Sequence, residues 1–159
     1  MYRNTVVDKN KKFETVSNSY LDSELEFGAY GCLDQIVNDD ITPHHMPSNG
    51  YMEEKFNYTM EESFAMNLEQ PKSSGRHRRT FTYGVKKNSR KYQLYDSLTP
   101  RDALAFDLYD VKRIFKEDGV YGSKARKQIR DYIESYKKYT QAEGIFDKNS
   151  KHNNKCRKG

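Results

Sequence analysis

TPRDALAFDLYDVKRIFKEDG, residues 99–119, reads as one amphipathic helix from its cap to its stop. Thr99 can cap the free amides, Pro100 suits the first helical position, and Asp102 sits near the positive end of the helix dipole. Leu104, Leu108, Val111 and Phe115 recur at spacings of 4, 3 and 4, which puts them on one stripe. Gly119 ends the pattern. A second helix starts near Ser123, with Ala125, Ile129, Tyr132, Ile133 and Tyr136 on its stripe. The short link predicts an antiparallel pair. In this setting Tyr132, Tyr136 and Tyr139 read as core packing before base stacking, and Asp107 and Asp110 as a solvated helix face before a metal site. From about 141 the chain is polar and basic (Lys148, Lys151, Lys155, Arg157, Lys158), which predicts a tail.

Upstream the pattern is weaker. In ITPHHMPSNG, residues 41–50, Pro43 and Pro47 push Thr42 and Met46 out of helical conformation, so His44 and His45 fall in extended backbone, with a turn expected at Asn49-Gly50. Met52 to Asn57 suggests a helical turn, and Phe64 to Leu68 a strand or helix end. Residues 70–79 open as a loop at Pro71, Ser73, Ser74 and Gly75, and a short helix could begin at His77. Residues 1–40 alternate short apolar pieces with Asn, Ser and Asp, enough for one or two short elements.

The 159 residues suit one domain. With 35% hydrophobic and 32% charged residues the core must be small, so aromatic rings carry much of the burial. Cys32 and Cys156 lack metal-ligand spacing and do not read as a disulfide scaffold, which suits a reducing site of action. No apolar run approaches membrane-spanning length, and the start of the chain lacks an apolar secretory core, so export would need residues beyond these. Gly-rich phosphate loops and the G-x-S-x-G elbow are missing, which argues against nucleotide-dependent enzymes and α/β hydrolases.

Charge is segregated. Residues 1–69 hold 5 Lys/Arg against 13 Asp/Glu, a net −8; residues 70–95 hold 8 Lys/Arg and no acid, a net +8. The basic block, Arg76, Arg78, Arg79, Lys86, Lys87, Arg90 and Lys91 among it, is the candidate nucleic-acid surface, since such density attracts phosphates. His77 lies inside it, and guanidiniums beside an imidazole suit a scissile phosphate. The pair His44-His45 adds neutral imidazoles, which can bind a divalent metal or take a proton near pH 7. A solvated basic loop is the plainer reading of the block, and His152 in the tail is a weaker candidate.

Thr42-Pro43-His44-His45-Met46-Pro47-Ser48 resembles the HH-[IM]-P-S element of the C-terminal nuclease domains of bacterial polymorphic toxins. Ala65-Met66-Asn67-Leu68-Glu69 followed by His77-Arg78-Arg79-Thr80-Phe81-Thr82-Tyr83-Gly84 is similar to a second segment of that family, and Ala103 through Ile114 to the helix after it; the likeness spans residues 42–139. It implies an HNH/endonuclease-VII-like site in which a β-hairpin and a helix hold one divalent ion (Mg, Mn, Zn or Ni). His44 and His77 would be ligands, His45 the general base, and Glu69 a further candidate ligand. It also implies a toxin exported within a larger bacterial protein, active in the target-cell cytoplasm on DNA or RNA, and held inactive in its producer by a small acidic immunity protein. Arg76 replaces the acid that the family places before the last histidine, and the loop after Glu69 is longer. Both leave open a metal-free ribonuclease with His45 and His77 as base and acid and Arg78 or Arg79 stabilising the phosphorane. A non-catalytic nucleic-acid-binding protein is the third reading. The expected fold is α+β: a small β-hairpin-containing catalytic segment (41–140, with the helices) packed on two C-terminal amphipathic helices, after an N-terminal connector or accessory segment (1–40) and before a basic flexible tail (141–159).

Overall fold

The computed structural model describes residues 19–33, 40–70 and 74–142. In chain order these form β1 (Phe27–Ala29), a 3-10 turn (Tyr30–Cys32), β2 (Ile41–His45), α1 (Asn49–Phe56), β3 (Phe64–Glu69), a second 3-10 turn (His77–Arg79), α2 (Arg90–Asp96), α3 (Pro100–Glu117) and α4 (Ser123–Ala142). The fold is α+β, as the sequence predicts. The sheet has the order β1-β3-β2 with antiparallel pairing throughout.

β3 is central and all six of its residues are buried. Phe64, Met66 and Leu68 point to one face, and the Phe64 ring meets Tyr132 at 5.4 Å, Tyr136 at 6.0 Å and Tyr139 at 4.9 Å. The tyrosines of α4 are therefore core, and two of their hydroxyls are satisfied from the backbone: Tyr132 donates to Met46 O at 2.5 Å and Tyr139 to Glu62 O at 2.8 Å. Leu104, Leu108, Val111 and Phe115 of α3 join the same cluster. Each fully buried side chain of this kind contributes roughly 1.5–3 kcal/mol.

Local chemistry sets the helix ends. Thr99 Oγ1 accepts from Asp102 N at 3.2 Å, as its capping role requires. Ser48 Oγ accepts from Tyr51 N at 3.2 Å, so Asn49-Gly50 opens α1 where a turn was expected; Asn57, at φ 58°, closes it. β2 and β3 are thus joined through a helix, not by a tight hairpin. α2 follows Ser89, whose Oγ accepts from Tyr92 N at 3.1 Å. No helix among the described residues is long and apolar enough to cross a membrane.

Residues 19–33 are built into the fold: β1 pairs with β3 from Phe27↔Met66 to Ala29↔Phe64, and Leu25 is fully buried. Two sequence expectations are corrected. Asp107 and Asp110 do not form a solvated face, because α3 turns both inward. Asp107 Oδ2 accepts from the Tyr95 hydroxyl at 2.5 Å and Asp110 Oδ2 from Phe81 N at 2.6 Å. Arg76 is fully buried: it meets Glu24 at 2.8 Å, Asp118 at 3.1 Å and Glu69 at 3.7 Å, and lies over the Tyr20 ring. Cys32 is not a free thiol; Cys156, His152 and most of the expected tail lie outside the described residues.

Arg76→Ala removes the shared partner of three buried carboxylates, of which Asp118 keeps Arg79, and is expected to cost about 3–5 kcal/mol, read as a lower urea midpoint at neutral pH. A loss under about 1 kcal/mol would mean that the carboxylates take up protons or water instead.

Candidate active site

β2 separates its paired histidines. In register, Thr42 and His44 oppose Leu68 and Met66 on one face, while Pro43 and His45 oppose Asn67 and Ala65 on the other. His44 is 3% exposed, and its Nε2 is buried with no hydrogen-bond partner. The second 3-10 turn delivers His77 beside it, with ring centroids 5.0 Å apart and planes at 59°.

The tautomer of His77 follows from its neighbours. Nδ1 lies 2.7 Å from Gln70 Oε1 and 2.5 Å from Thr42 Oγ1, which itself donates to Gln70 Oε1. An amide oxygen only accepts, so Nδ1 carries the hydrogen and Nε2 keeps its lone pair. His45 is set the other way. Its ring stacks on Tyr30 with centroids 4.8 Å apart at 14°, and Nε2 donates to Met60 O at 3.0 Å. The lone pair of His45 is therefore at Nδ1. Burial is the main cause holding the pKa of each ring down: His77 to about 4, His44 well below the ordinary histidine value, and His45 below it too. Secondary contributions come from His45 and Arg78 on His77, and from His77 and His45 on His44. All three are neutral near pH 7, the form that binds metal or accepts a proton.

Two imidazoles on one first-row ion, with metal–nitrogen bonds of about 2.1 Å and angles between octahedral and tetrahedral, place their centroids roughly 4.5–5.5 Å apart. The 5.0 Å separation and the unpartnered His44 Nε2 fit such a pair. Among the described residues no group of three His, Cys, Asp or Glu completes the set. Glu69 is not the third ligand: it shares its face with Ile41 and lies against Arg76.

His44, His45 and His77 are among the residues lining a cavity of about 280 Å³, whose other walls include Ser48 to Gly50, Phe81 to Val85, Lys87, Tyr92 and Tyr95. Tyr95 fixes the wall after β2, its hydroxyl accepting from Ser48 N at 2.9 Å while it donates to Asp107. The seven cations singled out in the basic block separate. Arg76 and Arg79 are not positioned as nucleic-acid contacts: the first is buried in ion pairs, and the second is held by Asp118 and by Glu117 at 3.3 Å. Arg78 remains at the site, Nε on Gln70 O at 3.3 Å and guanidinium over the Tyr83 ring. Lys86, Lys87, Arg90 and Lys91 are exposed, and Lys87 lines the cavity.

Tyr30, Thr42, Gln70 and Tyr83 were not singled out in the sequence. Thr42 could have been, since it lies two residues before His44 on an extended segment and so shares its face. Tyr30 and Gln70 reach the histidines only through tertiary packing. Comparison of the chain with protein families, curated proteins and solved structures finds no match.

His77 gives the fold an acid limit. The unfolded chain protonates this ring below about pH 6.5 and the folded chain only near pH 4, so stability is intact above that interval and falls as pH drops through it. We expect a loss on the order of 2–3 kcal/mol between those limits, over and above that of His77→Gln, in urea titrations across pH. Parallel profiles for the two proteins would refute the buried neutral ring.

Proposed function

We propose that this protein is a nuclease that hydrolyses phosphodiester bonds in nucleic acid. The observation that supports it most is the unpartnered Nε2 of His44, whose ring lies 5.0 Å from that of His77 beside a cavity that Lys87 also lines. The Nδ1 lone pair of His45 takes a proton from water, whose oxygen forms the new bond to phosphorus. The bond from phosphorus to the leaving sugar oxygen breaks, and that oxygen takes its proton from solvent. His44 and His77 would hold a divalent ion through their Nε2 atoms; when bound, it stabilises charge on the phosphate and leaving oxygens. Arg78 and Lys87 draw the phosphate in, and Lys86, Arg90 and Lys91 extend that attraction along the strand. The two neutral partners of His45, Tyr30 and Met60 O, keep its ring oriented without adding charge.

The likeness of residues 42–48 and 65–84 to polymorphic-toxin nucleases extends the reading to a toxin. In it, the domain travels within a larger exported bacterial protein, acts in the target-cell cytoplasm, and is restrained in its producer by an acidic immunity protein matched to the basic rim.

Purified protein incubated with plasmid and with total RNA tests this. His45→Ala and His44→Ala should each reduce cleavage by about a hundredfold or more, and chelator should stop it. Chelator-resistant RNA cleavage that still needs His45 and His77 would assign the two rings as base and acid without metal. Undiminished cleavage by His45→Ala would remove the mechanism, and salt-sensitive binding without product strands would leave a binding protein.

A further inference from the structure

The start of α1 forms one wall of the cavity that holds His44 and His77. Ser48 Oγ satisfies Tyr51 N, and Ser48 O takes Met52 N. Asn49 N and Gly50 N, the first amides of the helix, have no acceptor within the fold among the described residues. The first turn carries no acid to neutralise the positive helix end. Gly50 leaves room for close approach. A Cβ built there would lie 3.9 Å from Lys87 Cε and 3.5 Å from the Tyr92 hydroxyl, so it would occupy space between the helix end and the Lys87 side chain. That contact is ordinary, not a clash, and the backbone is not in the left-handed region.

A second observation points to a ligand in the same place. His44 is more than nine-tenths buried, lines this cavity and leaves Nε2 without a partner. Asn49 Oδ1 is buried and unpartnered as well, which suits a ligand bearing a donor beside its anionic oxygens. Glu53 and Glu54 follow one turn along α1, and the Glu54 carboxylate is engaged by the Tyr92 hydroxyl at 3.1 Å.

We propose that Asn49 N, Gly50 N and Lys87 form a phosphate subsite that seats one phosphodiester group of a nucleic-acid strand against the imidazole cluster. This rests on the nuclease reading for the identity of its natural ligand, but the site itself is an anion site of the helix-terminus kind. The phosphate oxygens accept from the two amides and from the Lys87 ammonium, and a sugar hydroxyl beside the phosphate donates to Asn49 Oδ1.

Inorganic phosphate is the probe. It is added to 15N-labelled full chain at constant ionic strength, with chloride as the control. Saturable shifts of the Asn49 and Gly50 amides are expected with phosphate and not with chloride. Gly50→Ala and Lys87→Gln should each weaken the apparent affinity by about fivefold or more. Ala is a better helix residue than Gly, so the Tm of Gly50→Ala should hold or rise, which a purely structural glycine would not allow. Unshifted amides, or both variants binding phosphate as the parent does, would overturn the subsite even where the chain still cleaves nucleic acid. Phosphate binding as described, in a protein that cleaves nothing, would retain the anion site and discard the nuclease reading.

Discussion

A guanidinium with no access to water holds the two halves of this protein together. Arg76 is fully buried, and its partners come from three places: Glu24 ahead of β1, Glu69 at the end of β3 and Asp118 just past α3. Glu24 answers in kind, since Oε2 also accepts from Glu69 N at 3.0 Å. A buried charge of this sort is tolerable only when its neighbours are fixed, because the desolvation penalty returns as soon as the geometry loosens. The next residue is His77. The cluster therefore sets where the second 3-10 turn begins and which way its imidazole leaves the chain.

How much of this was legible beforehand depended on the range of the forces involved. α3 and α4 were readable because caps and stripes are local: Thr99, Pro100 and the Leu104-to-Phe115 series state the helix within its own residues. The extended conformation around His44-His45 was readable because proline restricts its neighbour directly. Asn49-Gly50 misled because the same dipeptide suits a turn or a first helical turn, and Ser48 decides which. For β1 the pattern leaves helix or strand open, because three residues hold too little of it, and its strand character comes from pairing with β3. For the site, the approach of His44 to His77 was expected, while the loss of Arg76 and Arg79 to ion pairs was not. A basic run in sequence gives no sign of which guanidinium has carboxylates waiting beneath it.

The two ends of the histidine cluster are tuned by opposite means. His77 is held through Nδ1 by Gln70 and Thr42, and His45 through Nε2 by Met60 O, so their lone pairs sit on different ring atoms. Neither partner is charged. Burial can then hold both rings neutral, whereas a carboxylate in either position would favour the imidazolium. The constellation is polar but uncharged at its centre, with positive charge confined to its rim at Lys87 and Arg78.

The central strand also dictates when the chain can become a protein at all. β3 lies between partners that precede it by some tens of residues, β2 is joined to it through α1, and its apolar face is covered by rings from α4. No contiguous stretch supplies a complete neighbourhood for Phe64, Met66 and Leu68. Long-range closure of this kind delays folding until most of the chain is present. During synthesis, the interval before Tyr132 to Tyr139 emerge is the period in which β3 is an exposed hydrophobic segment and in which a companion protein or chaperone has most to shield.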